Sequence, residues 1–136
     1  MTDSGYSGTP LAKKLRIKPG SRVALWRAPA DWPTPAVPEG VRLDARPEEA
    51  DVVLAFYRTA ADLRADMDGL VARLLPQSCL WLLWPRRAAG HTSDITDNDL
   101  RELMLPLGVV DVKVAAVGED WSGLAFVWRK ENRPTR

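Results

Sequence analysis

Arginines and tryptophans make up most of the side chains in this sequence that could recognise a ligand. Arg58, Arg86 and Arg87 each stand just past an apolar run, Trp84 closes one of those runs, Trp32 lies in a proline-rich stretch, and Trp121 sits in Gly118-Glu119-Asp120-Trp121. Guanidinium forks chelate carboxylate or phosphate, and indole faces stack on planar groups. Together with Thr59 these residues form a candidate site for an anionic planar ligand or a protein partner. Two of them have structural alternatives: Trp32 folding back with its prolines over a sheet edge, and Trp121 packing across a hairpin to pin its register.

Groups for covalent or acid–base chemistry are few. His91 is the single histidine and Cys79 the single cysteine. Cys79 falls in the apolar run SCLWLLWP, which reads as a buried strand, and no spacing brings His91 to it. One Cys and one His do not make a zinc site, and Asp94, Asp97 and Asp99 read as acids at the start of a helix. No catalytic residue, metal or cofactor is expected, and the balance leans toward a noncatalytic role. A lone cysteine excludes an internal disulfide and favours a reducing compartment. The longest apolar stretch, Cys79 to Trp84, is too short for a bilayer, so a cytoplasmic protein without membrane contact is expected.

With 19 basic and 18 acidic side chains, no global field draws the chain to nucleic acid or an anionic membrane. The clusters Lys13 to Lys18 and Arg86-Arg87 read as solvated surface charge. Nucleic-acid binding through Lys13, Lys14, Arg86 and Arg87 is disfavoured on this ground. The expected partners are a protein, including a second copy of the chain, or a small anionic molecule.

The positioning elements follow from pattern. At 136 residues the chain fits one domain that buries roughly two-thirds of its unfolded surface. Residues 1–8 read as a flexible arm, 9–130 as a single α/β domain and 131–136 as a disordered tail. Thr9-Pro10 offers a cap for a short helix through Leu15, and strands are expected at 22–27, 41–44, 51–57, 80–84, 110–117 and 122–129. The near-continuous apolar run of Asp51 to Tyr57 suits a parallel strand covered on both faces. Thr59 and Thr96 are candidate N-caps, and Leu63, Met67, Leu70, Val71 and Leu74 recur at helical spacing. Four prolines in residues 28–40 forbid a regular helix there. Lys113, inside a strand, reads either as an edge charge that blocks strand addition or as part of a basic site.

These elements predict a mostly parallel, Rossmann-like sheet of about six strands, ending in an antiparallel hairpin, with helices on both faces. The terminal strand-helix-strand-helix-hairpin order resembles the second half of a class I S-adenosylmethionine-dependent methyltransferase. That likeness implies the sheet order 2-1-3-4-6-5 in the order of the strands given above. Over Gly5 to about Arg129 the chain also resembles a small bacterial domain-of-unknown-function family with a reduced methyltransferase-like fold. The likeness rests on TPLAKKL (9–15), IKPG (17–20), DVVLAF, LWPRR (83–87) and GEDWSG (118–123).

The glycine-rich turn that admits a cofactor backbone in such folds is replaced by Trp26-Arg27-Ala28-Pro29. The functional expectation is therefore a noncatalytic methyltransferase-like binding module that has lost its S-adenosylmethionine loop. The alternative is a degenerate S-adenosylmethionine- or nucleotide-binding enzyme with its cofactor at Ala28 and its ribose held by Asp44.

Overall fold

A computed structural model describes residues 11–32, 35–87 and 90–134. The expected arm at 1–8, the Thr9-Pro10 cap and the last two residues of the tail lie outside this range. Helix α1 is Leu11–Lys14, followed by strand β1 Val23–Trp26, β2 Val52–Phe56, helix α2 Ala60–Arg73, β3 Cys79–Pro85, α3 Asp97–Met104, β4 Val109–Val117 and β5 Trp121–Trp128. The sheet order is β1-β2-β3-β5-β4. Its first three strands are parallel, and β5 is antiparallel to both β3 and β4.

The strands that form keep the expected order, but there are five among the described residues, not six. Residues 41–44 run beside β1 yet contribute a single parallel bridge, Arg22 to Arg42. The Val23 N–H donates to the Arg42 carbonyl at 2.7 Å and the Arg42 N–H to the Ser21 carbonyl at 3.0 Å. The chain then turns away through the 3-10 turn Pro47–Glu49, because only a short link remains in which to reach the start of β2.

Helices lie on both faces, as expected, but unevenly. The chains of α2 and α3 both pack on one face, against Val53, Ala55, Leu80, Leu82, Leu124 and Phe126. Among the described residues the other face is covered by the four-residue α1 with Leu15, Ile17, Trp32 and the partly buried Ala28, Val41 and Leu43, over Leu54, Phe56, Trp81 and Leu83. Proline removes the helix that would follow β1, so extended chain and large rings serve as the cover. Trp81 is fully buried there, and its indole N–H donates to the Leu15 carbonyl at 3.1 Å, tying the N-terminal segment to the sheet.

Local chemistry sets the remaining boundaries. All five residues of β2 are buried, as its apolar run requires. Thr59 accepts from the Asp62 N–H and Thr96 from the Asp99 N–H, so both predicted caps form. The β4–β5 hairpin pairs Val117 with Trp121 and turns on Gly118 at φ +70°. Residues Lys130–Asn132 form a further 3-10 turn. No helix among the described residues is long and apolar enough to cross a membrane.

Two glycines test this packing in opposite directions. A Cβ at Gly123 would stand 2.8 Å from a Leu83 methyl carbon and 3.0 Å from Trp81, so Gly123→Ala is expected to destabilise by about 1–3 kcal/mol through overpacking. Gly69, within α2, meets nothing within 4 Å. Gly69→Ala is expected to stabilise by about 0.5–1 kcal/mol. Urea midpoints of the two variants check both signs.

Candidate functional site

At the carboxyl ends of the strands lies a cleft of about 240 Å³, lined by Pro29, Trp32, Arg58, Pro85, His91 and Trp121, with Asp31, Glu119 and Asp120 among its carboxylates. Its floor is aromatic. Trp32 meets Phe56 edge-on with ring centroids 5.0 Å apart, and Phe56 meets Trp121 in the same manner at 5.1 Å. The Arg58 guanidinium stands 5.1 Å above the Trp121 ring. Among the described residues no carboxylate lies within ion-pair distance of it. Across the mouth, His91 Nε2 lies 2.9 Å from Asp120 Oδ1.

Of the residues singled out in the sequence, the fold brings Trp32, Arg58 and Trp121 together. Thr59 is adjacent but is used as the cap of α2. Trp84 packs on the opposite sheet face with α2 and α3, away from the other two indoles. Arg86 turns toward the hairpin, its guanidinium donating to the Glu119 carbonyl at 3.3 Å and its N–H to the Asp120 carbonyl at 2.8 Å. Arg87 is exposed. Asp44 is exposed and pairs with Arg42 at 3.4 Å. Since Arg42 sits beside Arg22, Asp44 lies level with the middle of β1, about four residues short of Ala28. The structure does not bring those two together.

A second polar constellation fills the turn after β1, where a glycine loop was missed. Arg27 adopts φ +60°, the left-handed conformation that costs a non-glycine residue about 1–2 kcal/mol. Its guanidinium is clamped on Asp66 of α2, with Nε to Oδ2 at 2.7 Å. The same carboxylate oxygen accepts from the Trp26 indole N–H at 3.0 Å and from the Tyr57 hydroxyl at 2.8 Å. Partial burial pushes the Asp66 carboxyl up, but these hydrogen bonds and the Arg27 charge outweigh it and hold Asp66 below the usual carboxylate range. Burial, then the bond to Asp66, pushes the Tyr57 phenol well above its ordinary value.

Sequence reasoning missed Asp66. It reads as a solvated acid on the outer side of a helix, and its partners lie 40 and 9 residues away. Cys79 is buried, and desolvation raises its thiol to about 11, so it stays protonated and unreactive near neutral pH. Among the described residues no group of three or more His, Cys, Asp or Glu side chains is placed to hold a metal ion.

The fold is methyltransferase-like, with a five-stranded sheet. Among solved structures, the B. subtilis tRNA methyltransferase TrmK is similar to this chain at 11% identity and a TM-score of 0.55, over 88% of this chain and 64% of TrmK. The ribosomal protein L11 methylase of Lactobacillus delbrueckii subsp. bulgaricus is similar at 11% identity and 0.52, over 88% of this chain and 75% of the methylase. LepI in complex with SAM follows at 13% and 0.51, over 88% of this chain and 39% of LepI. This chain thus spans less than two thirds of TrmK and LepI, and at these identities the likeness is one of fold. No protein-family model matches the sequence, and no curated protein is similar to it, so the finer likeness to a small bacterial family rests on its motifs alone.

Replacing Asp66 by Asn tests the clamp. At pH 7 the variant is expected to lose about 2 kcal/mol, the scale of hydrogen bonds to a charged group. Because the native Asp66 pKa lies below the unfolded value, its contribution is complete above the unfolded carboxylate pKa and fades as pH falls through the native one. Urea midpoints at pH 7 and pH 3 should therefore show the gap to wild type narrowing on acidification. An unchanged gap would mean that the carboxylate charge is not what stabilises the turn.

Proposed function

We propose that this chain is a noncatalytic, methyltransferase-like binding module that engages a carboxylate-bearing partner at its strand-end cleft. The observation that carries this reading is the clamp on Arg27. The residues after β1 do not fit S-adenosylmethionine, because the turn that would have to admit its backbone is occupied by the Trp26 and Arg27 side chains held on Asp66. Glycine's part in such a loop is to leave that space empty.

Cleft size and charge support the same reading. A volume of about 240 Å³ falls below the roughly 300–1,000 Å³ typical of small-molecule sites and suits one protein side chain or chain terminus. Held over Trp121 without a carboxylate of its own, Arg58 has N–H groups to offer an anion. The rim acids Asp31, Glu119 and Asp120 would repel a polyphosphate, so a single carboxylate on a protein is the better guest.

Isothermal titration with S-adenosylmethionine and S-adenosylhomocysteine at millimolar concentrations, with an adenine nucleotide as control, is expected to show no saturable binding. Propionate, followed by amide and indole NMR shifts, is expected to perturb Trp121 in the wild type and not in Arg58→Ala. Saturable binding of either adenosyl ligand that disappears in Asp44→Ala would overturn the proposal in favour of a degenerate cofactor-binding enzyme using Ala28 and Asp44.

A further inference from the structure

We propose that the face built by α1, the turn after it and the edge strand β4 binds the phosphate backbone of a double-helical nucleic acid. This surface goes beyond the strand-end cleft and stands at the opposite end of the sheet. Arg16 and Lys18 line a hollow of about 350 Å³ at the start of β2 and β3, with Gly20, Ser21, Gln77 and Cys79. Arg86, by contrast, follows the far end of β3, about 20 Å away at strand rise.

Five cations gather here: Lys13, Lys14, Arg16, Lys18 and Lys113. The Lys113 ammonium reaches the Lys14 carbonyl at 3.3 Å, which joins the edge strand to α1. Among the described residues none of the five lies within ion-pair distance of a carboxylate. Elsewhere many arginines are neutralised, Arg27, Arg42, Arg46, Arg73 and Arg101 each facing an Asp or Glu, and the unpaired Arg58, Arg64, Arg86 and Arg87 do not gather with lysines as the five cations of this face do. Asp51, which shares the hollow, is occupied by the Arg22 N–H at 2.9 Å and the Gln77 amide at 3.2 Å. With a formal net charge of +1, a face holding these five leaves the rest of the molecule net negative. Neutral composition thus conceals a strongly polarised surface.

Backbone geometry adds an independent observation. Arg16 takes φ +65° at the end of α1, where the Arg16 N–H bonds the Lys13 carbonyl and the Ile17 N–H the Ala12 carbonyl. This is the helix-ending position that glycine fills at least cost. An arginine held there in a left-handed conformation is a stability sacrifice that a recognition role explains.

The chemistry of the patch selects its occupant. Lysines are point charges that neutralise phosphates without reading bases. No aromatic side chain among the described residues is exposed, so the stacking platform a single strand needs is missing. A duplex backbone fits both facts.

Fluorescence anisotropy with labelled 20-base-pair RNA and DNA duplexes, from 50 to 200 mM salt, tests the proposal and tells the two duplexes apart. Each phosphate contact contributes about −0.9 to the slope of log affinity against log salt. Lys13→Gln/Lys18→Gln should therefore weaken binding and reduce the slope by about two, while Arg86→Gln/Arg87→Gln leaves both unchanged. Arg16→Gly should raise the urea midpoint and still weaken duplex binding, which separates recognition from folding. Absence of duplex binding at 50 mM salt, loss confined to the Arg86/Arg87 variant, or binding to phosphatidylserine vesicles in place of duplexes would each overturn it.

Discussion

One carboxylate holds the reduced sheet together at its carboxyl end. Without a helix after β1, the ends of β1 and β2 present the partly buried Trp26 and the buried Tyr57, two rings whose polar tips need acceptors once out of water. Asp66 accepts from both and from Arg27 besides, so α2 covers the strand that its missing neighbour would have covered. A second tie lies about two turns further along α2. Arg73 stacks 5.3 Å from the Trp26 ring and donates through two nitrogens to Glu48, which brings the Pro47–Glu49 turn under the same helix. The compressed connection between β1 and β2 is thus anchored by side chains of α2.

What was legible in the sequence was whatever a local rule controls. The apolar run of β2, the Thr59 and Thr96 caps and the glycine turn of the final hairpin are decided by neighbours a few residues away, and all formed. Residues 41–44 were ambiguous because alternating Val-Arg-Leu-Asp fits an edge strand and an extended connector equally, and the length of the return link decides between them. The Asp66 clamp was invisible because nothing in a helix-surface aspartate announces a partner 40 residues away. Trp84 was misgrouped for a different reason. Strand parity places Trp81, Leu83 and Pro85 on one face of the sheet and Leu80, Leu82 and Trp84 on the other, so Trp84 could not reach Trp121, and that signal was present in the sequence.

Charge shows the limit of composition most clearly. Nearly equal counts of acids and bases say nothing of pairing, and pairing here is uneven. Most arginines of the β1, α2 and α3 regions sit opposite carboxylates, while Arg58 at one end of the sheet and the α1–β4 cluster at the other do not. Ion pairs that are half exposed add little to stability. Their larger consequence is to cancel charge over part of the surface and leave it uncancelled elsewhere, the α1–β4 cluster included.

The second sheet face shows how a sheet is covered where only one short helix packs among the described residues. A helix covers a sheet by laying one apolar stripe across it, and large rings can do the same with fewer residues, since each aromatic buries about 150–250 Å². Trp32, Phe56 and Trp121 form a continuous edge-to-face row across β2 and β5, and Trp81 fills the space beneath α1. The row ends under the strand-end cleft, so the rings that replace the missing helix also form the cleft's floor. Stability of this face and the shape of the candidate site are therefore set by the same side chains, and a substitution that shrinks one of them must alter both.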